Sequence, residues 1–262
     1  GVEVGDQDIA LGDVPVFQWF TRLEHFVFND ENENGIWDTG EMPMMDQNVN
    51  LRWRDGTMYQ SMPTDHEGYV PFDEIFPFFS WQVAEVGFER FKATGVTVVV
   101  DHGGAITGGD PWTFGGQLNP QLQPENSNEP FRVETGPVLT QAFQGFLGQT
   151  SVMQWGKKTY DSGENGGISG MVFYSTTRAE DDPAYGFGEP WEPGIPNVRV
   201  NLYTIENFDE NGIPVQGSLV ATTLTDSWDD DVPTDCPGDP EDPFYNDGRC
   251  YDGMYNWNQV RP

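Results

Sequence analysis

Positive charge is scarce in this chain. Of 262 residues, 12 are Lys or Arg and 43 are Asp or Glu, a formal net charge of −31. Lysine is confined to Lys92, Lys157 and Lys158. This balance excludes nucleic acid as an expected partner, because phosphate backbones are held by basic patches. It equally disfavours an anionic membrane surface. Long apolar runs are missing, so no segment reads as a membrane-inserted helix. Histidine occurs only at His25, His66 and His102, without metal-ligand spacing and with no His-x-His pair. No G-x-S-x-G or P-loop is present, and carboxylates are too numerous for any pair to stand out as a glycosidase dyad. The expectation is a chain without catalytic activity. It opens "GVEVGDQD", with neither an initiator Met nor a signal-peptide pattern, and reads as a processed piece of something longer.

What is present argues for a fold. Aromatic residues make up 14 %, with 18 Phe and 9 Trp, far above a typical disordered acidic chain. The acidity then reads as that of a folded chain that neutralises itself with divalent cations. Glycine (31) and proline (20) are frequent, which fits short strands joined by turns better than long helices. Segments 24–28, 48–53, 67–72, 80–87 and 95–101 read as strands, with Val49, Leu51 and Trp53 on one face of their strand. Together they predict an all-β antiparallel sandwich. Residues 1–22 read as a lead-in, 23–102 as the sandwich and 103–166 as a Gly/Pro-rich irregular connector. Within that connector 137–149 offers one short amphipathic helix, with Leu139, Phe143, Phe146 and Leu147 on one side.

The segment "FNDENENGIWDTGE" carries the most specific pattern. Asp30, Asn32, Asn34, Ile36, Asp38 and Glu41 fall on positions 1, 3, 5, 7, 9 and 12 of a twelve-residue frame, with Gly35 at position 6. That is EF-hand calcium-loop spacing. Ca²⁺ takes six to eight oxygens, and alternate residues of a tight loop point inward together. Glycine makes the sharp turn, the Ile36 carbonyl supplies one ligand, and Glu41 can close the shell with both carboxylate oxygens. Strand-like "EHFVF" before the loop and Pro43 after it place the loop between strands rather than helices.

The run from "FVFNDENENGIWDTGE" through "NVNLRWRDG" to "TDHEGYVPFDEIFP" resembles the SdrD B-like modules of bacterial surface proteins, relatives of the collagen-adhesin B-type fold. The resemblance implies an immunoglobulin-like or transthyretin-like sandwich outside the cell, stiffened by Ca²⁺ at those same six residues. It also implies a role as spacer or adhesive unit, with other domains of a parent protein or neighbouring surface subunits as partners. Some relatives carry a Lys–Asn isopeptide bond, which needs a lysine on an early strand. "EHFVF" and "ISGMVF" have none, so no such bond is expected.

From residue 167 the theme returns. "GIPNVRVNLYT" parallels "MMDQNVNLRWR", "SLVATTLTD" parallels "TMYQSMPTD", and "ISGMVFYS" parallels "EHFVFND". Residues 167–262 thus read as a second, divergent and incomplete module that has lost the calcium loop. Its insertion at 227–251, with bounding Asp226 and Asp252, holds ten acidic residues and one basic residue, Arg249. Asp226, Asp229, Asp231, Asp247 and Asp252 are candidate ligands of a second cation. Cys236 and Cys250 lie inside the insertion. Without a nearby histidine they make a poor zinc site; a disulfide and hence an oxidising compartment are expected, two free thiols being the alternative. Tryptophans in loop-like segments, Trp112, Trp155 and Trp191, keep a second function class open. This is an accessory domain of a secreted enzyme or carbohydrate-binding protein, with a glycan as partner.

Overall fold

The computed structural model describes residues 19–86, 90–101, 120, 127, 129–145, 147–164, 168, 170–175 and 192–227. Eleven strands are found among them and no helix. They are β1 (Thr21–Asn29), β2 (Asn48–Trp53), β3 (Met58–Pro63), β4 (Tyr69–Ile75), β5 (Trp81–Val86), β6 (Phe91–Val99), β7 (Arg132–Thr135), β8 (Thr140–Phe143), β9 (Thr150–Thr159), β10 (Arg199–Phe208) and β11 (Pro214–Leu224).

β1 through β9 form a sandwich. One sheet has the order β4-β1-β9-β6-β7 and the other β3-β2-β5-β8. Alternation decides which side chains meet between them, since neighbouring residues of a strand face opposite ways. Leu23 and Val27 from β1, Val96 and Val98 from β6, and Met153 and Trp155 from β9 pack against Val49 and Leu51 from β2, Trp81 and Val83 from β5, and Phe143 from β8. Val49 and Leu51 share the buried face as their alternation predicts, and Trp53 packs half-buried at its edge. At about 25 cal/mol per Å² of apolar area, each such fully buried Leu or Val side chain contributes on the order of 1.5–3 kcal/mol.

Two expectations about residues 103–166 are corrected. The second half of the presumed connector supplies β7, β8 and β9, and β9 lies in the middle of the larger sheet between β1 and β6. Residues 140–143, inside the presumed helix, are strand β8, paired antiparallel with β5. The physical reason is tertiary. Buried on both faces, β9 reads "TSVMQWGKKT" without clean alternation, and the short β8 takes its conformation from β5's free edge. The sandwich is also not wholly antiparallel. β9 runs parallel to β1 from Arg22↔Thr150 to Asn29↔Lys157.

Beyond residue 167 the described residues do not show a second copy, although the segments expected to parallel β2 and β3 do form an antiparallel pair. Residues 168–175 are expected as a strand like β1; the described ones among them make a single bridge, Phe173↔Gly194. The strands among the described residues there are β10 and β11, an antiparallel hairpin with a turn at Asp209–Gly212. Gly194 donates a 2.7 Å hydrogen bond to the Asp55 carbonyl, and Arg52 Nη1 lies 3.3 Å from Met171 Sδ. This segment therefore rests against the β2–β3 turn.

Candidate metal centre

β1 ends at Asn29, and the next residue, Asp30, is fully buried. A buried carboxylate must be compensated by donors, and Asp30 has three. Its Oδ1 accepts from the Asn34 amide at 3.1 Å, and its Oδ2 accepts from the Gly35 amide at 2.8 Å. The third donor comes from across the fold: Thr94 Oγ1 of β6 donates to Asp30 Oδ2 at 2.6 Å. The loop is further fastened by Thr97 Oγ1, which donates to the Gly35 carbonyl at 2.6 Å. Gly35 has φ +74°, and a Cβ there would sit 3.0 Å from the Glu134 carbonyl oxygen. Glycine at the sixth position thus permits both the turn and the close approach to β7.

The other expected ligands form one hydrogen-bonded ring. Asn32 Oδ1 accepts from the Asn34 amide and Asn34 Oδ1 from the Ile36 amide. The side-chain amides of Asn32 and Asn34 both donate to Asp38 Oδ2, at 2.8 and 2.9 Å. These two donors hold the Asp38 carboxyl below its ordinary range. Glu41 Oε1 accepts from the Glu31 amide and Oε2 from the Asp38 amide, both at 2.9 Å. Trp37 stacks on Phe28, with ring centroids 5.6 Å apart and planes 10° apart, and its Nε1 donates to the Glu41 carbonyl. The loop is therefore anchored at both ends, by Asp30 under β6 and by Trp37 on β1.

The donor set is entirely oxygen: three carboxylates, two amides and a carbonyl, the chemistry of a hard cation such as Ca²⁺ or Mg²⁺. Among the described residues no three His, Cys, Asp or Glu side chains are grouped closely enough to hold a metal by themselves. The asparagine oxygens and the Ile36 carbonyl would have to contribute. Two side-chain amide N–H groups converge on one Asp38 oxygen, so that carboxylate is compensated within the loop; the all-oxygen character of the ligand set is what suits a hard cation. In this respect the residues present fit the cation.

Sequence reading missed what supports the loop. Lys92 and Lys158 both pair with Glu33, at 3.2 and 2.9 Å, and Lys92 reaches Glu164 at 2.7 Å. Thr94, Thr97, Lys92 and Lys158 lie far along the chain from the loop, on strands whose register alone brings them there, and no local pattern marks them. A buried ion pair was missed as well. Lys157 Nζ of β9 lies 2.8 Å from Glu85 Oε1 of β5, both side chains being 1 % exposed.

The remaining candidates are distributed differently. Asp226 is exposed just past β11; Asp229, Asp231, Asp247, Asp252, Cys236 and Cys250 lie outside the described residues. Trp155 is a core residue, 1 % exposed, with Nε1 donating to His25 Nδ1. It is therefore removed from any sugar-stacking surface, while Trp112 and Trp191 lie outside the described residues.

Residues 21–101 match the family model of the SdrD B-like domain. No curated protein matches the chain. The match ends before β7, so the strand in the middle of the larger sheet, β9, comes from sequence beyond it.

Proposed function

We propose that this chain is a non-catalytic structural module of a larger surface or secreted protein, stiffened by Ca²⁺ at the 30–41 loop. It would serve as spacer, adhesive or assembly unit outside the cell. The observation that carries this reading is the hydrogen-bonded ring of Asn32, Asn34, Asp38 and Glu41, which gathers residues able to offer an all-oxygen ligand set and is tied through Asp30 to β6. Asp30, Asn32, Asn34, Ile36, Asp38 and Glu41 are the residues that would hold the cation. Bound there, Ca²⁺ would supply charge neutralisation to three carboxylates that otherwise rely on the loop's amides and on Thr94. The chain's part is to fix those oxygens to the sandwich, so that ordering the loop also ties β1 to β6. The family match supports the structural role.

A ligand that binds only the folded state stabilises it by about 2.7 kcal/mol at one hundred times its dissociation constant. Thermal unfolding of the full chain in chelator and in millimolar Ca²⁺ tests the reading. The expected result is a higher Tm in Ca²⁺, a smaller rise in Mg²⁺, and no Ca²⁺-dependent rise in Glu41→Ala. An identical Tm in chelator and Ca²⁺ overturns the cation assignment.

A further inference from the structure

Glu33 occupies the fourth position of the 30–41 loop, outside the expected ligand set. Its φ of +60° lies in the left-handed region that residues other than glycine seldom adopt. Its Oε1 lies 3.2 Å from Lys92 Nζ and 2.9 Å from Lys158 Nζ. Lys92 of β6 and Lys158 of β9 stand directly opposite each other in the antiparallel register. Like charges at such positions destabilise a sheet, and Glu33 between them offsets the repulsion. The chain has three lysines among 262 residues, so two of the three are placed at this one spot. Their side chains are 19 % and 25 % exposed, which shields these pairs from salt better than pairs in open solvent.

β6 therefore meets the loop through Lys92 on Glu33, Thr94 on Asp30 and Thr97 on Gly35. β9 meets it through Lys158 on Glu33 and through the Lys157 carbonyl, which accepts from the Asp30 amide at 2.9 Å. Lys92 has a second carboxylate, Glu164, at 2.7 Å. Glu164 closes the turn that follows β9. Its Oε2 accepts from the Asp161 amide at 2.6 Å, and its own amide donates to the Asp161 carbonyl at 3.0 Å. One ammonium is thus shared between the loop and this turn.

We propose, on the calcium reading above, that Lys92 and Lys158 are positioning residues of the cation site: through Glu33 they hold the loop in its ligand-ready shape, and Glu164 steadies Lys92 in that task. Two effects of these lysines oppose each other. By charge alone an ammonium beside the loop repels a dication, so its removal tightens binding. By positioning, its removal releases the loop, and a loop that is competent for a fraction of the time binds more weakly by that fraction. At about 0.15 M salt, exposed charges more than about 8 Å apart are largely screened, whereas the pairs at 2.7–3.2 Å are in contact. Positioning outweighs repulsion, so the lysines strengthen the binding of a cation that they repel.

The test uses the full chain. Hydrogen exchange of residues 30–41 is followed in chelator, and Ca²⁺ affinity by titration calorimetry in about 0.15 M NaCl. In Lys92→Met/Lys158→Met the loop amides lose about tenfold or more of their protection while β2 and β5 keep theirs, and Ca²⁺ binds about tenfold more weakly. Lys92→Arg/Lys158→Arg restores both. Glu33→Ala leaves both strands unaltered and reproduces the loss of loop protection, so the result stands even if the methionine variant misfolds. Glu164→Gln lowers loop protection by a smaller factor. Parent-like loop protection in the methionine variant, or Ca²⁺ bound as tightly or more tightly, overturns the proposal and leaves the lysines as counter-charges only. Unchanged loop protection in Glu164→Gln overturns the part given to the turn. A parent chain that takes up no Ca²⁺ sinks the calcium reading instead, and exchange in chelator then decides the positioning role by itself.

Discussion

Removing one member of the buried Lys157–Glu85 pair should damage the sandwich far more than removing both. Lys157 Nζ sits 2.8 Å from Glu85 Oε1 and 3.1 Å from Gln47 Oε1, and the ion pair joins the middle strand of one sheet to an inner strand of the other. Lys157→Met leaves a carboxylate in an apolar layer with its cation gone. Breaking a buried pair in this way costs about 3–5 kcal/mol, whereas replacing both partners with apolar residues of similar size is often neutral. For a sandwich spanning β1 to β9 that loss corresponds to a fall in Tm of about 10–20 °C. Denaturant unfolding of Lys157→Met, Glu85→Leu and the double variant gives the coupling energy, expected at about 3 kcal/mol or more in favour of the double variant. The pH dependence supplies a second reading. Burial raises the Glu85 carboxyl, and Lys157 pulls it back down. Without Lys157 the folded state favours protonated Glu85, so Lys157→Met should lose less stability, relative to the parent, at pH 5 than at pH 8. Additive single losses, or a Lys157→Met penalty independent of pH, would refute the argument.

Three further outcomes are expected. His25 is fully buried, and desolvation pulls its pKa down to about 3. Because the unfolded chain protonates it near its ordinary 6.5 and the folded state does not, stability should fall as pH drops from about 6.5 towards 3, by up to about 1.4 kcal/mol per unit; His25→Phe should flatten that slope in acid-unfolding curves. Gly68 has φ +70° and its Cβ would lie 2.5 Å from the Val27 carbonyl oxygen, so Gly68→Ala should cost about 1–3 kcal/mol in denaturant unfolding, and a neutral effect would mean the β3–β4 turn is free to rearrange. Thr94→Val removes the 2.6 Å donor to buried Asp30 and should cost about 1–3 kcal/mol in chelator as well as in Ca²⁺. That would separate it from Glu41→Ala, whose loss is expected in Ca²⁺.

The sequence by itself determined the β class, the strand β2 with its buried Val49 and Leu51, and the loop. Each is written locally. Alternation needs only neighbours two apart, and the ring of Asp30, Asn32, Asn34, Asp38 and Glu41 closes within twelve residues, so its spacing is legible without a fold. Tertiary structure alone decided the rest. The middle strand of the larger sheet, β9, lies more than 120 residues from its parallel partner β1, and its burial on both faces erases the alternation that would have announced it. Lys157 and Glu85 are ordinary charged residues until two sheets close over them. Thr94 becomes an Asp30 donor only through the register of β6, and the Val-Asn-Leu shared by β2 and β10 is buried in one and exposed in the other, β2 having a strand on each edge and β10 pairing with β11 alone among the described residues. Sequence sets what each segment can pair with, but long-range pairing, which no local pattern encodes, sets which side chains end up dry.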